Sequence, residues 1–344
     1  MAPRRGCVVT SPAGICRRWN SVRTALAIGV ISLFYGAVRE VPGRLTSRAL
    51  YTLVLVASLT FPTWTSAPVP AVRADELAKS VDPSVDLLIS DLFAVIADAA
   101  PPVNIDAATA YAAQRGGVGL AVIDRRTGLY LDNGAGAHTP MGSASVIKVL
   151  IADELLHRQS LGQIQLGPPE YSRIEAMLIQ SDDPAASTLY SQFGGVSLIA
   201  AALLRHNLSE SSPPADPQYW GNAKISAHDV VTLYDNVLDG SLPPADRDYL
   251  FGLLRRIAPV ASDGFGQIFG LATLDPTSLA AVKQGWMCCL DGVRNVHSTA
   301  VVGGQDRYVI AILTESSPAL PWEYGLTTAT EVARLIANVL NPRS

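Results

Sequence analysis

Ser145 and Lys148 form the residue pair in this chain that is best suited to nucleophilic catalysis. They stand three positions apart in the run Ser-Val-Ile-Lys, so a helix would place the hydroxyl and the amine on one face. A serine hydroxyl attacks efficiently when a base takes its proton, and a lysine can be that base if burial keeps its amine neutral. Arginine is permanently charged and cannot do so. Because only four of the 26 basic residues are lysines, we interpret Lys148 as a position that requires an amine.

Two further runs contain residues that could complete such a site. The run 181–183 (Ser-Asp-Asp) stands directly before Pro184, which places it at the start of a predicted helix, where Ser and Asp are also ordinary N-caps. Lys283 lies in an apolar run that ends at Trp286. A lysine inside a strand of this kind either reaches a cleft or protects an exposed sheet edge from aggregation. Both runs therefore have a structural as well as a catalytic interpretation.

In chain order, these three runs resemble the S-x-x-K, S-D-N and K-T-G motifs of class A β-lactamases and penicillin-binding proteins. The resemblance extends over about residues 80–342. It includes the predicted strand 119–124, the segment 180–186 and the predicted closing strand 309–315. The chain is therefore identified as a divergent member of this serine hydrolase family.

The resemblance implies a role for each motif residue. Ser145 would be the acylated nucleophile and Lys148 its proton acceptor, while Ser181 would relay a proton to the leaving nitrogen. Lys283 would hold a substrate carboxylate and help to keep Lys148 neutral. The backbone N–H groups of Ser145 and Trp286 would form the oxyanion hole, where each donor is typically worth about 3–4 kcal/mol.

Four more positions are predicted to contact the substrate, and two of them depart from the family motifs. Asp183 stands where the family has Asn; an ionised carboxylate cannot donate to a substrate carbonyl, and it could pair with Lys148 and raise the lysine pKa. Gln284 replaces a Ser or Thr, although its amide could still donate a hydrogen bond. Gly285 continues the third motif, and Arg294 is a candidate for a further carboxylate contact.

The segment between residues 183 and 226 lacks the E-x-x-L-N motif whose glutamate activates the deacylating water in class A enzymes. Glu210 is its only glutamate and is more typical of a solvated loop charge. We therefore predict that Ser145 forms an acyl-enzyme with a β-lactam or a peptidoglycan-like acyl amide, and that deacylation is slow. The alternatives are a catalytically silent member that binds a cell-wall peptide or a protein partner, and a purely structural envelope domain.

The histidines and cysteines do not predict a competing catalytic or metal site. The five histidines are scattered and no G-x-S-x-G surrounds a serine, which disfavours a Ser-His-Asp hydrolase. Cys288 and Cys289 are adjacent, so they are either free, buried side chains or joined in a vicinal disulfide. With no His or Cys cluster beside them, no zinc site is expected. We expect neither a metal nor a cofactor.

The elements that must position these residues are strands at the two ends of the predicted domain and helices between them. Predicted strands cover residues 118–124, 129–131, 279–286, 296–302 and 307–314, and predicted helices cover residues 76–100, 196–205, 226–238, 244–256 and 324–340. Another helix begins near Ser145 and is apolar nearly all round, which is typical of a buried helix. This order predicts an α+β fold, with an antiparallel sheet from the N- and C-terminal segments, flanking helices and an inserted all-helical subdomain over about residues 145–258.

Residues 1–74 differ in charge from the remainder and are predicted to target the chain. They contain nine arginines, no lysine and one acidic residue, for a net charge of +8, whereas the predicted β-lactamase-like domain, residues 75–344, carries about −12. The apolar stretch 49–61 is followed by small residues, which is typical of a signal peptide and a tether, or of an uncleaved membrane anchor. We therefore predict an extracytoplasmic domain, either secreted or anchored to the cytoplasmic membrane.

The same features limit the partners that we expect. An acidic domain argues against nucleic acid as the main partner. Membrane association is expected only through residues 1–74, and neither candidate cleavage site there shows the apolar-then-cysteine pattern of a lipoprotein. We expect a monomer whose partner is a small-molecule β-lactam or peptidoglycan-like substrate.

Overall fold

Residues 104–274 and 280–340 are described by the computed structural model, except for the side chains of residues 338–340. The predicted targeting region 1–74 and the predicted helix 76–100 lie outside these ranges. The described residues form seven strands and eight α-helices. The strands are β1 (Gly117–Asp124), β2 (Leu129–Asp132), β3 (Met141–Gly142), β4 (Lys224–Ile225), β5 (Ala281–Cys288), β6 (Arg294–Val302) and β7 (Tyr308–Ser316). The helices are α1 (Asp106–Ala112), α2 (Ile147–Ser160), α3 (Pro168–Ile179), α4 (Asp183–Gln192), α5 (Val196–Arg205), α6 (Ala227–Asn236), α7 (Pro244–Leu254) and α8 (Trp322–Leu340).

Five of the strands form one antiparallel sheet in the order β2-β1-β7-β6-β5. Strand β1, from the beginning of the described chain, pairs with β7 from near its end, so that Leu120 lies opposite Ile312. Strand β5 forms one edge, where Lys283 lies opposite Thr299 of β6. The two ends of the domain therefore share one sheet, and helices α2–α7 are inserted between them. This architecture confirms the predicted α+β fold.

The hairpin of β1 and β2 turns where the sequence predicts. Gly128 adopts a φ of 69°, which glycine reaches without steric cost, and its N–H donates to the carbonyl oxygen of Asp124 over 2.8 Å. The carboxylate of Asp124 in turn accepts hydrogen bonds of 2.9 and 2.7 Å from the guanidinium of Arg307, which lowers the pKa of Asp124. This ion pair joins the turn to the residue that precedes β7.

The sheet separates two hydrophobic cores because side chains alternate between its faces. On one face, Ala281, Val301 and Leu313 pack with the helical subdomain α2–α7. On the other face, Leu120 and Ile312 pack with α1 and α8. Helix α2 lies inside the first core, and every residue of its first ten is buried, as its all-round apolar sequence predicts. Each fully buried Leu or Ile contributes roughly 1.5–3 kcal/mol to folding.

Helix α6 begins as its capping sequence predicts but ends earlier. The Oγ of Ser226 accepts a 3.0 Å hydrogen bond from the backbone N–H of Asp229, which caps the first turn. The helix ends at Asn236, and the chain continues in a wider turn, Val237–Ser241, in which Gly240 has a φ of 103°. A glycine is required there because other residues are strained at that angle.

No single helix in the described ranges has both the length and the apolar composition that a membrane crossing requires. Helices α4 and α5 meet that criterion only when they are counted together, and they are bent by 84° relative to each other.

Candidate active site

Ser145 lies in the short 3₁₀ turn Ala144–Val146 that leads directly into α2, and only 6% of its surface is exposed. The preceding residue, Ala144, has a φ of 45°, a left-handed conformation that costs an alanine about 1–3 kcal/mol and is concentrated at functional sites. The turn is held by the N–H of Ser143, which donates to the carbonyl oxygen of Ala223 over 2.7 Å. The nucleophile candidate therefore sits at a constrained turn at the start of a buried helix.

Lys148 is completely buried one turn further along, on α2. Its Nζ donates to the carbonyl oxygen of Ser181 over 2.5 Å, to the carboxylate of Asp183 over 2.6 Å and to the hydroxyl of Ser181 over 3.3 Å. Burial lowers the pKa of Lys148, the charge of Asp183 raises it, and the net pKa lies below its ordinary value. The protonation equilibrium of Lys148 is thus shifted towards the neutral amine, the form that a base must have, although a carboxylate lies next to it.

Lys283 reaches the same cluster from strand β5 and is also completely buried. Its Nζ donates to the hydroxyl of Ser181 over 2.9 Å and to the carbonyl oxygen of Gln284 over 2.9 Å. Burial, with the nearby charge of Lys148, holds the pKa of Lys283 well below its ordinary value. The Ser181 oxygen therefore accepts from two lysines, and its own proton can be donated elsewhere.

The residues around Ser181 show how α4 begins. Ser181 itself has a φ of 55°, and the N-cap of α4 is Asp182, whose side chain accepts a 2.7 Å hydrogen bond from the N–H of Ala185. Of the three residues in this run, Asp182 alone supplies the helix cap that the structural interpretation expects. Its two neighbours, Ser181 and Asp183, are directed to Lys148 instead.

Ser145 and Lys148 are not hydrogen bonded to each other within the described ranges; the protons on Nζ are directed to Ser181 and Asp183. The sequence analysis anticipated this ion pair between Asp183 and Lys148, because Asp183 stands where the family has Asn. This ion pair is largely exposed on the Asp183 side, where 65% of the side chain is accessible. Solvent therefore weakens the attraction between the two charges.

Gly285 explains how closely β5 approaches the Ser145 turn. A Cβ at this position would lie 3.1 Å from the Cγ2 of Val146, and 3.3 Å from both the Cβ of Ala144 and the carbonyl oxygen of Ser143. Only glycine leaves room for the strand at this distance. Trp286 follows directly after this contact with the turn. An oxyanion hole made by the N–H groups of Ser145 and Trp286 stays a prediction.

Two of the predicted substrate contacts are engaged elsewhere. Gln284 is completely buried, and its amide nitrogen donates to the carbonyl oxygens of Gln267 and Phe269 over 2.9 and 2.6 Å. Neighbouring residues of a strand point to opposite faces, so Gln284 is turned away from Lys283. Both of its amide protons are used within the protein and none is free for a substrate, contrary to the prediction. The guanidinium of Arg294 donates to the carbonyl oxygens of Pro318 and Leu320, and these contacts do not bring it to the Ser145 cluster.

The rings of Trp220 and Trp286 make contacts that the sequence did not predict. The ring of Trp220 lies 5.0 Å from the Nζ of Lys148, and its indole N–H donates to the hydroxyl of Ser187 over 3.0 Å. Trp286 stacks on Phe265 with ring centroids 4.6 Å apart. These residues belong to loops and to a strand end, where no periodic pattern indicates a role. A lysine-facing tryptophan was therefore not predictable from the sequence.

Glu210, His297 and the two adjacent cysteines lie apart from this cluster. Glu210 contacts His138 and not Ser145 or Lys148 in the described part of the chain. His297 is completely buried on β6 and has a packing role, as discussed below. The cysteines are joined as a Cys288–Cys289 disulfide across a cis peptide bond, and both residues are exposed, which excludes the buried, free alternative.

Comparisons with known proteins identify a family and a relative of this chain. Residues 172–340 match the model of a family described as the β-lactamase enzyme family. A protein named "Putative lipoprotein LppW", from Mycobacterium tuberculosis and Mycobacterium bovis, is 37% identical over 215 residues, which cover 61% of this chain and 67% of the relative.

Solved structures of low sequence identity share the fold. A β-lactamase from Chitinophaga pinensis superposes with a TM-score of 0.58 at 15% identity, covering 68% of this chain and 98% of that one. An ancestral class A β-lactamase superposes with a TM-score of 0.56 at 20% identity, covering 68% of this chain and 99% of that one. The fold expected from the three sequence motifs is therefore confirmed, while the roles of individual residues are not addressed by these similarities.

Proposed function

The chain belongs to the β-lactamase enzyme family, and on that basis we propose that it is an exported serine hydrolase that forms an acyl-enzyme at Ser145 and releases it slowly. The substrate class is a β-lactam or a peptidoglycan-like acyl amide. The observation that carries the proposal is the buried cluster in which the hydroxyl of Ser181 accepts hydrogen bonds from both Lys148 and Lys283, beside the Ser145 turn. A cluster with two buried amines is costly unless it is used.

The acylation step uses these side chains as follows. Lys148, in its neutral form, takes the proton of the Ser145 hydroxyl as the Ser145 oxygen bonds to the substrate carbonyl carbon. The carbonyl oxygen becomes an anion and is stabilised by the N–H groups of Ser145 and Trp286. When the carbon–nitrogen bond breaks, Ser181 donates its proton to the leaving nitrogen and regains one from its lysine neighbours. The substrate carboxylate, on entering the site, favours the charged form of Lys283, which then attracts it.

Slow deacylation follows from what surrounds the acylated serine. Hydrolysis needs a base that activates a water molecule on the far side of the ester. The loop between α5 and β4 carries only two acidic residues, Glu210 and Asp216, and neither has a contact with Ser145 in the described part of the chain. From the same loop, Trp220 places its ring over Lys148. An apolar ring in this position excludes water from the amine.

A fluorescent penicillin tests the proposal directly. We expect the wild-type chain to become covalently labelled and to keep the label through gel electrophoresis, with a mass increase equal to the whole β-lactam. Ser145→Ala should not label, whereas Ser160→Ala, which removes an exposed hydroxyl at the end of the same helix, should label as the wild type does. Fast, repeated hydrolysis of a chromogenic cephalosporin would contradict slow deacylation, and absence of label in the wild type would contradict acylation.

The Lys148–Asp183 ion pair favours a second candidate function, that of a catalytically silent binding protein. If Lys148 remains protonated by this partner, no base is available to Ser145. The cleft would then bind a cell-wall peptide or a protein without reacting. The two candidates differ in one measurement, because a silent member would show saturable peptide binding that Ser145→Ala leaves unchanged, and no covalent label with any β-lactam.

We also propose an extracytoplasmic location. Three observations support it: the basic region 1–74, the apolar stretch 49–61 within it, and the similarity to a mycobacterial protein whose name includes lipoprotein. Residues 49–74 contain no cysteine that could carry a lipid. The proposed attachment of this chain is therefore an uncleaved anchor, or none after cleavage.

A further inference from the structure

Two histidines and a glutamate that are far apart in the sequence meet at one place on the surface. His138 follows β2 on the way to β3, Glu210 lies in the loop between α5 and β4, and His228 is in the first turn of α6. Their nitrogen and carboxylate ligand atoms all lie within 4.8 Å of one another. We propose that His138, Glu210 and His228 bind a divalent transition-metal ion, for which Zn²⁺ is the best match.

The chemistry of the three side chains selects the class of ion. Two imidazole nitrogens and one carboxylate oxygen are typical of Zn²⁺ and its neighbours in the first transition row, whereas Mg²⁺ and Ca²⁺ prefer oxygen ligands alone. The Nδ1 of His138 lies 2.7 Å from one carboxylate oxygen of Glu210, and the Nδ1 of His228 lies 3.6 Å from the other. Ligand atoms around a tetrahedral Zn²⁺ are about 3.3 Å apart, given bonds of about 2.0 Å. The observed separations bracket this value, so small side-chain rotations suffice.

The carboxylate of Glu210 has one buried oxygen that a ligand could use. This oxygen, Oε2, lacks a hydrogen-bond partner of normal geometry among the described residues, and the Nδ1 of His228 lies 3.6 Å from it and 3.3 Å from the Oδ1 of Asp229. A buried carboxylate oxygen without a partner costs free energy. A metal ion between the carboxylate and the imidazole would supply the missing partner.

The second nitrogen of His138 is already positioned as it is in metal sites. Its Nε2 lies 3.0 Å from a carboxylate oxygen of Asp132 and can donate a proton to it, while its Nδ1 faces the cluster and, without an ion, donates to the Oε1 of Glu210 over 2.7 Å. A ligating histidine commonly donates its other N–H to a carboxylate, which fixes the tautomer. Binding of the ion would replace the hydrogen bond between Nδ1 and Glu210.

The loop that carries Glu210 is held against α6 independently of the ion. One oxygen of Asp229 accepts the backbone N–H of Glu210 over 2.9 Å and the hydroxyl of Ser211 over 2.7 Å. Asp229, Asp132 and Glu210 place three carboxylates around two histidines. A dication would offset this excess of negative charge.

The site is partly open to solvent. The side chains of His138, His228 and Glu210 are 41, 35 and 26% exposed. A three-ligand site with an open face leaves a coordination position for water. The ion would join the linker before β3, the α5–β4 loop and the start of α6, and the same loop carries Trp220. This role is independent of acylation at Ser145.

The direct test is binding of Zn²⁺ alone to the full chain, produced without a polyhistidine tag and measured by competition with a chromophoric chelator. We expect the wild type to bind one Zn²⁺ that His138→Gln, His228→Gln and Glu210→Gln each weaken by at least about 100-fold. His157→Gln, which removes a histidine outside the cluster, should bind as the wild type does. Asp132→Asn should weaken binding by about 10–100-fold, the usual effect of losing the carboxylate behind a ligating histidine.

Two further measurements separate the outcomes. Co²⁺ bound at the site should give the strong visible absorption of tetrahedral coordination, and the three ligand variants should lose it. Thermal unfolding in the presence of a chelator shows whether each variant is folded, and Glu210→Gln and Asp132→Asn change shape least. Zn²⁺ that binds equally well to the wild type and to all ligand variants would overturn the proposal, because the ion would then be held elsewhere. Ser145→Ala should bind Zn²⁺ normally whether or not the wild type labels with penicillin.

Discussion

In the proposed mechanism, Asp183 determines how far Lys148 is available as a base. Burial favours the neutral amine, whereas the carboxylate 2.6 Å away favours the ammonium form and also draws the Nζ protons away from Ser145. The family has an Asn at this position, which would hydrogen bond without a charge. An Asp in place of the family's Asn therefore affects two properties of Lys148: the direction in which its Nζ protons point, and its pKa.

We expect Asp183→Asn to accelerate covalent labelling of Ser145. Without the carboxylate, the pKa of Lys148 should fall further, and the neutral fraction of the amine at neutral pH should rise by about tenfold for each unit. The acidic limb of the rate profile for labelling by a fluorescent penicillin should move to lower pH. Asp248→Asn, an exposed acid-to-amide change outside the cluster, is the control. Slower labelling or an unchanged pH profile would show that Asp183 does not restrain the base.

The sequence predicts the clustered side chains better than the substrate contacts. Lys148, Ser181 and Lys283 follow from residue types at fixed spacings, and the structure joins them by hydrogen bonds close to the turn that carries Ser145. Gln284 was misplaced because alternation along β5 turns it away from Lys283. Side chains that arrive from loops, such as Trp220 and Glu210, depend on tertiary contacts that no local pattern contains.

At the scale of elements, two close approaches hold the Ser145 turn in place: β5 meets it through Gly285, and β3 is tied to β6 through His297. His297 donates from Nε2 to the carbonyl oxygen of Gly142 over 2.7 Å, and its Nδ1 accepts the N–H of Thr314 over 3.1 Å. The bond that Nδ1 accepts requires the neutral imidazole, and burial lowers the pKa of His297 to about 4. The strands and helices that the sequence predicts within the described ranges agree with the observed bounds to within a few residues, but α1, β3, β4 and these contacts between elements were not predicted.

Gly285→Ala should slow acylation without unfolding the protein. The new Cβ would meet Val146 and Ala144 at 3.1 and 3.3 Å, so β5 must move a few tenths of an ångström away from the turn. Misplacement on this scale disturbs the oxyanion donors, and we expect labelling of Ser145 to slow by about 10- to 100-fold. Gly304→Ala, where a Cβ meets nothing within 4 Å, is the matched control. Equal labelling rates in the two variants would contradict a role for the close approach.

The neutral state of His297 should make stability depend on pH. The unfolded chain binds a proton to this imidazole below about pH 6.5, whereas the folded chain does so only near pH 4. Its contribution is therefore fully present above about pH 6.5 and is lost as the pH falls towards 4, by about 3 kcal/mol in total.

Urea unfolding between about pH 7 and pH 4 measures this dependence. His297→Gln keeps an N–H donor for Gly142 but does not titrate, so its free energy of unfolding should decrease less steeply in that interval than that of the wild type. If both proteins lose stability with the same slope, His297 is not the group responsible.

At the scale of the whole molecule, charge is divided along the chain. Residues 1–74 carry a net charge of +8 and the remainder about −12, a division that fits a basic targeting segment ahead of an acidic exported domain. The described residues of the sheet and of its two cores lie in the second part. The division into a targeting region and a domain stays a prediction from composition.

Export can be checked in spheroplasts of a bacterial host that produces the full chain. External protease should digest the acidic domain while a cytoplasmic marker protein stays intact. A variant that lacks residues 1–74 should remain protected until the cells are lysed. Protection of the full chain from external protease would place the domain in the cytoplasm and contradict the proposed location.

The pairing of β1 with β7 also dictates when this protein can fold. Gly117 lies opposite Glu315, so the first strand to leave a ribosome or a translocation pore waits for almost the entire remaining domain before it meets its neighbour. Non-local pairing of this kind is slow, so the chain stays unfolded for longer, which the proposed export would require. A chain truncated before Tyr308 would retain Ser145, Lys148, Ser181 and Lys283, yet would lack the strand on which both β1 and β6 assemble.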